Sequence, residues 1–151
     1  MEVTMLIKES ELQDKLKYLA YQVSQEFDEV TLLVALSGGV YTAVDFSKYL
    51  TIPVRLEFVK ISSYGDEQES GIVELKWISA EKGSHLGNLL IVDDICDTGK
   101  TIDYLLRYIK NNYTTTALKV LTLLDKPNSL FSSSHFSNSD KAVSGSPVTG
   151  K

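Results

Sequence analysis

The sequence predicts an α/β fold, a mainly parallel sheet flanked by helices. Two observations carry that expectation. The short unbroken apolar runs Thr31 to Leu36 (TLLVAL) and Leu89 to Val92 (LLIV) suit strands buried on both faces. Between such runs lie segments with apolar residues at three- and four-residue steps, so the chain reads strand, helix, strand and again strand, helix, strand. At 151 residues it has room for one domain, and 43% apolar with 23% charged residues is an ordinary globular mixture.

Taken in order, Ser10 to Phe27 places Leu12, Leu16, Leu19, Ala20, Val23 and Phe27 on one helical stripe, with Ser10 and Gln13 spaced as a capping box. The TLLVAL strand ends at Ser37-Gly38-Gly39, and Val40 to Leu50 returns to a helical pattern closed by Ile52-Pro53. Val54, Leu56 and Phe58 alternate with Arg55 and Glu57 as a strand with one wetter face. Ile61 to Gly71 is polar and acidic and reads as a long flexible loop. Val73, Leu75 and Trp77 alternate again, then come the LLIV strand, a helix from Thr101 to Asn112, and a strand from Leu118 to Leu124. Residues 1–127 form the expected domain. Pro127 to Lys151 carries eight Ser among 25 residues and no apolar period, so 128–151 is expected to be an irregular, poorly ordered tail.

Several function classes drop out on composition. No apolar run approaches the ~20 residues of a membrane helix, and no secretory signal pattern is present, so a cytoplasmic protein without membrane contact is expected. With 15 basic against 20 acidic residues, net −5, and no basic stretch, nucleic acid is not the expected partner. A single cysteine, Cys96, excludes an intramolecular disulfide and a cysteine-based zinc cluster. His85 and His135 read as isolated, solvated residues.

The chemistry concentrates in Leu89 to Thr101, LLIVDDICDTGKT. A buried strand delivers Asp93 and Asp94 to the carboxyl edge of the sheet, where open α/β sheets bind ligands. Asp97, Thr98, Gly99, Lys100 and Thr101 then lead into a helix. A glycine turn at a helix start offers backbone N–H groups and the positive end of the helix dipole to a phosphate, with Thr98 and Thr101 hydroxyls as added donors. Neighbouring carboxylates can hold ribose hydroxyls, directly or through Mg²⁺. The segment is neither a Walker P-loop, which needs glycine where Asp94 stands, nor a dinucleotide Gly-x-Gly-x-x-Gly turn.

This segment resembles the 5-phosphoribosyl-1-pyrophosphate (PRPP) motif of type I phosphoribosyltransferases. Three more segments make the resemblance closest to hypoxanthine-guanine phosphoribosyltransferases: Ala35 to Gly39 where those enzymes carry a pyrophosphate loop, Ile61 to Gly65 where their flexible catalytic loop starts, and Leu123 to Pro127 (LLDKP). The resemblance implies Mg²⁺-dependent phosphoribosyl transfer from PRPP to a purine base, and a homo-oligomer. It implies Asp97 as the catalytic acid or base at the purine N7, and Asp93, Asp94, Thr98, Gly99, Lys100 and Thr101 around the ribose phosphate. Ser37, Gly38 and Gly39 would form the pyrophosphate loop, Ser63 and Tyr64 belong to the flexible loop, and Asp93 and Asp94 would face the metal. The chain departs from the family at Ser37, where Lys or Arg is usual, and after Pro127, where no base-binding hood pattern is recognisable. A non-catalytic PRPP- or nucleotide-binding domain and a transferase for another base are the alternatives. Asp97 could also simply cap the helix, and Cys96 reads as packing.

Overall fold

A computed structural model of the chain describes residues 9–64, 72–96, 99–122, 124–125 and 142–144. In chain order the elements are α1 (Glu9–Glu26), β1 (Val30–Leu36), α2 (Gly39–Lys48), β2 (Val54–Tyr64), β3 (Ile72–Ile78), β4 (Asn88–Val92), β5 (Ile95–Cys96), α3 (Lys100–Asn112), β6 (Ala117–Thr122), β7 (Leu124–Asp125) and β8 (Ala142–Ser144). Six strands form one sheet in the order β3-β2-β1-β4-β6-β8, and β5 with β7 forms a separate two-stranded ladder. In the large sheet only β3 runs antiparallel to its neighbour.

The unbroken apolar strands are buried on both faces because side chains alternate across the pleat. In β1, Leu33 and Ala35 join a core cluster with Ile102, Leu105, Leu106 and Ile109 of α3. Val30, Leu32 and Val34 point the other way, into a second cluster with Leu16, Leu19, Ala20 and Val23 of α1 and Ala43 and Phe46 of α2. The stripe expected on α1 faces this core, with Leu12 and Phe27 partly buried at its ends. The second face also holds Lys119 of β6, only 8% exposed. Its ammonium donates to both Glu26 oxygens at 2.8 and 2.7 Å and lies 5.3 Å from the centre of the Phe27 ring, so the buried charge is paired.

Four sequence expectations shift. The capping box at Ser10 is not formed through Gln13, whose side chain reaches across to α2: it donates to Asp45 at 3.4 Å and accepts from the Tyr49 hydroxyl at 2.6 Å. The polar stretch from Ile61 does not begin a loop. Ile61 to Tyr64 continue β2, paired with Leu75, Glu74, Val73 and Ile72, because ladder hydrogen bonds come from the backbone and tolerate polar side chains. Ser63 and Tyr64 are therefore strand positions, and 65–71 lies outside the described residues. Third, β3 does not alternate regularly. The register shifts between Lys60 and Ile61, whose partners are Trp77 and Leu75, so Lys76 is an extra residue in β3. Leu75 and Ile78 both pack on the α3-side core while Lys76 and Trp77 are exposed. Finally, Ala142 to Ser144 of the Ser-rich tail pair with Val120 to Thr122, so these three residues are sheet and not irregular. The backbone of β6 supplies a ladder for them without asking for an apolar pattern.

Phe46 is fully buried where α2 meets the sheet and α1. Phe46→Ala should cost about 3–5 kcal/mol of stability. Denaturant unfolding followed by circular dichroism measures it, and a loss below about 1 kcal/mol would show that α2 is not anchored there.

Candidate active site

Two loops meet at the carboxyl edge of the sheet because β1 and β4 are parallel neighbours at its centre, with Val34 opposite Val92. One is Ser37-Gly38-Gly39, leading into α2; the other starts at Asp93. The chain moves outward from β1 to β2 and from β4 to β6 in opposite directions, so the crevice sits where the strand order reverses.

The double glycine makes the approach possible. A Cβ at Gly39 would lie 2.6 Å from the Val92 carbonyl oxygen, and one at Gly38 would lie 2.9 Å from both carboxylate oxygens of Asp94. A side chain at Gly39 would press on backbone and push the two loops apart, while one at Gly38 would make the Asp94 carboxylate turn away. Asp93 remains tied to the sheet, its N–H donating to the Leu121 carbonyl at 3.1 Å. Its Oδ1 accepts the Asp94 N–H at 2.9 Å. Burial pushes the Asp93 carboxyl up to about 7; that bond to the Asp94 N–H opposes the shift, and the adjacent Asp94 charge adds to it.

The chain then runs through β5, which pairs with β7. Asp97 and Thr98 lie outside the described residues. Gly99 is the N-cap of α3 with φ 89°, a left-handed conformation that glycine adopts without strain. Among the described residues no side chain caps either helix start, Gly38 for α2 or Gly99 for α3. Lys100 and Thr101 occupy the first turn of α3, so their N–H groups belong to the positive end of its dipole. Two such helix starts and two carboxylates suit a ligand that carries phosphates and hydroxyls. The sequence matches the family described as phosphoribosyl transferase domain over residues 3–148. The chain belongs to that family.

Among relatives of this phosphoribosyl transferase domain, the bifunctional protein TilS/HprT of Listeria innocua is 35% identical over 125 residues, 81% of this chain and 19% of that protein. This chain thus spans about a fifth of the length of such bifunctional relatives. The hypoxanthine-guanine phosphoribosyltransferase of Bacillus subtilis is 34% identical over 128 residues, 81% of this chain and 68% of that one. A crystal structure of a hypoxanthine-guanine phosphoribosyltransferase from Bacillus anthracis, with a HEPES molecule in its active site, superposes with a TM-score of 0.76 at 31% identity, covering 94% of this chain and 83% of that one.

Of the residues singled out in the sequence, the structure brings Gly38 and Gly39 against Val92 and Asp94, and sets Gly99, Lys100 and Thr101 at the start of α3. Ser63 and Tyr64 end β2, which runs parallel to β1 and so reaches the same carboxyl edge of the sheet. Cys96 is a strand residue of β5. His85 is not isolated: it binds Thr114 Oγ1 at 2.7 Å and Thr116 Oγ1 at 3.3 Å. Sequence reasoning misses the contact of Asp94 with Gly38, although two adjacent glycines at a strand end are the signal of a close approach.

The Asp93 shift has a signed consequence. Between about pH 4 and 7 the folded chain keeps a proton that the unfolded chain has released, so stability falls as pH rises through that window. Asp93→Asn should raise the melting temperature at about pH 8 and lose that advantage towards about pH 4. An equal difference at both pH values, measured by thermal unfolding without ligand, would show that Asp93 is not the source.

Proposed function

We propose that the chain transfers a phosphoribosyl group from PRPP to a 6-oxopurine (hypoxanthine, guanine or xanthine), giving the nucleoside monophosphate and pyrophosphate in purine salvage. The observation that carries this reading is the crevice in which Gly38 sits against the Asp94 carboxylate beside the glycine-capped start of α3. The named activity of the Bacillus subtilis relative supports it.

In this reading the N–H groups at the start of α3 and the Thr98 and Thr101 hydroxyls hold the 5′-phosphate. The amides of Ser37, Gly38 and Gly39 face the pyrophosphate, and Lys100 adds positive charge nearby. Asp93 and Asp94 offer hard oxygen donors, which fit Mg²⁺ and the ribose hydroxyls alike. A bound Mg²⁺ would supply charge neutralisation for the departing pyrophosphate. Asp97, next in the chain after β5, would exchange a proton with the purine N7. Ser63 and Tyr64, at the end of β2, belong to the segment that borders the reacting groups.

The reading also includes a cytoplasmic setting, where phosphorylated substrates are kept, and a homo-oligomer. Among the described helices none is long and apolar enough to cross a membrane. Tyr41 and Val44 on α2 and Leu56 on β2 are exposed large apolar side chains that self-association would cover. Sedimentation at a single monomer mass would remove the oligomer.

The test is pyrophosphate release from PRPP with Mg²⁺ and hypoxanthine, guanine, xanthine or uracil in turn. Turnover with a 6-oxopurine is expected. PRPP binding without release on any base would favour the regulatory alternative, to which the unrecognised hood in 128–151 points. Asp97→Asn should lower kcat by about 10²–10⁴-fold and leave PRPP affinity nearly unchanged. Full turnover in that variant would show that the proton moves elsewhere.

A further inference from the structure

Helix α3 meets the paired strands β2 and β3 through core packing and through one tyrosine hydroxyl among the described residues. Tyr104 stands one turn beyond Lys100, and its hydroxyl accepts the Leu75 N–H of β3 at 3.2 Å. The bond falls at an irregular point. Leu75 adjoins the extra Lys76, where the β2–β3 register shifts. A bulge interrupts the ladder locally, and a backbone N–H there needs an acceptor from outside the pair. The Tyr104 ring is held in place to accept it. It stacks on Tyr108 with centroids 6.3 Å apart and planes 13° apart, and Tyr108 packs on the core. Leu75 itself packs on the same cluster and pairs with Ile61, two pairs from Ser63 and Val73.

We propose that Tyr104 is a positioning residue that couples the phosphate-binding start of α3 to the β2–β3 hairpin, fixing where Ser63 and Tyr64 stand relative to the bound ligand. The proposal rests on the reading of Gly99 to Thr101 as the phosphate-binding turn. A ligand that orders the first turn of α3 stiffens the helix through Tyr104, and the hydroxyl carries this to the Leu75 amide. Ligand binding and hairpin ordering should therefore separate when the hydroxyl is removed and the ring is kept.

Tyr104→Phe makes that change, and Tyr108→Phe is its control because it leaves the Leu75 acceptor in place. PRPP affinity with Mg²⁺ is measured by calorimetry, and the exchange rate and chemical shift of the Leu75 amide by NMR, with and without ligand. In the parent chain, saturating PRPP should slow Leu75 exchange about tenfold and shift its resonance. In Tyr104→Phe, PRPP should bind within about twofold of the parent affinity, while the exchange slows less than about twofold. Tyr108→Phe should behave as the parent. Equal protection of Leu75 in the parent chain and in Tyr104→Phe, or none in either while PRPP binds, overturns the coupling. Absence of PRPP binding to the parent chain, which calorimetry alone reveals, overturns the phosphate-site reading and the proposal with it.

Discussion

The crevice depends on how closely α2 starts to the end of β4. Only a residue without a side chain fits 2.6 Å from the Val92 carbonyl along the Cβ direction, and Gly39 is that residue. With α2 seated there, Gly38 falls against the Asp94 carboxylate and the loop after β1 faces the loop after β4. A wider gap would leave each helix start exposed to water as a weak, isolated anion site. In the proposed reading, holding them together lets both act on one ligand.

Burying an acidic group at this edge of the sheet is costly. The Asp93 carboxyl is drawn in from water and responds by holding its proton far above the usual carboxylate range. The fold tolerates this because the supporting elements are strong: both faces of β1 and β4 are packed, and the lysine buried on β6 has a carboxylate and an aromatic face to meet it.

The parts of this arrangement differ in how readable they are in the sequence. Thr31 to Leu36 and Leu89 to Val92 announce buried strands because both of their faces must be apolar. Ile102, Leu105, Leu106 and Ile109 announce a helix because one side must be. The glycine turn before α3 is readable for a similar reason, since the φ of Gly99 demands that residue. The strand from Ile61 to Tyr64 is not, because its pairing is a backbone affair that leaves Ser62 and Ser63 free to be polar. The bulge at Lys76 is hidden too: Val73, Leu75 and Trp77 look like one face of a strand, and only the partner strand reveals the inserted residue. Tyr104 looks like one more helical aromatic, for nothing local shows that its hydroxyl meets an amide 29 positions away. The pairing of Ala142 to Ser144 with β6 likewise has no signature in a segment crowded with serine.

The inserted residue in β3 has an optical consequence. By turning the strand over, it sends Trp77 outward, half exposed, where an unbroken alternation would have buried it with Leu75. Trp77 is the only tryptophan in the chain. Its indole therefore emits from a single, solvent-reachable place two residues from the amide that Tyr104 holds. Emission wavelength and quenching by a small water-borne quencher then report on this one stretch of backbone, so its motions can be timed in the unlabelled protein with a stopped-flow fluorimeter.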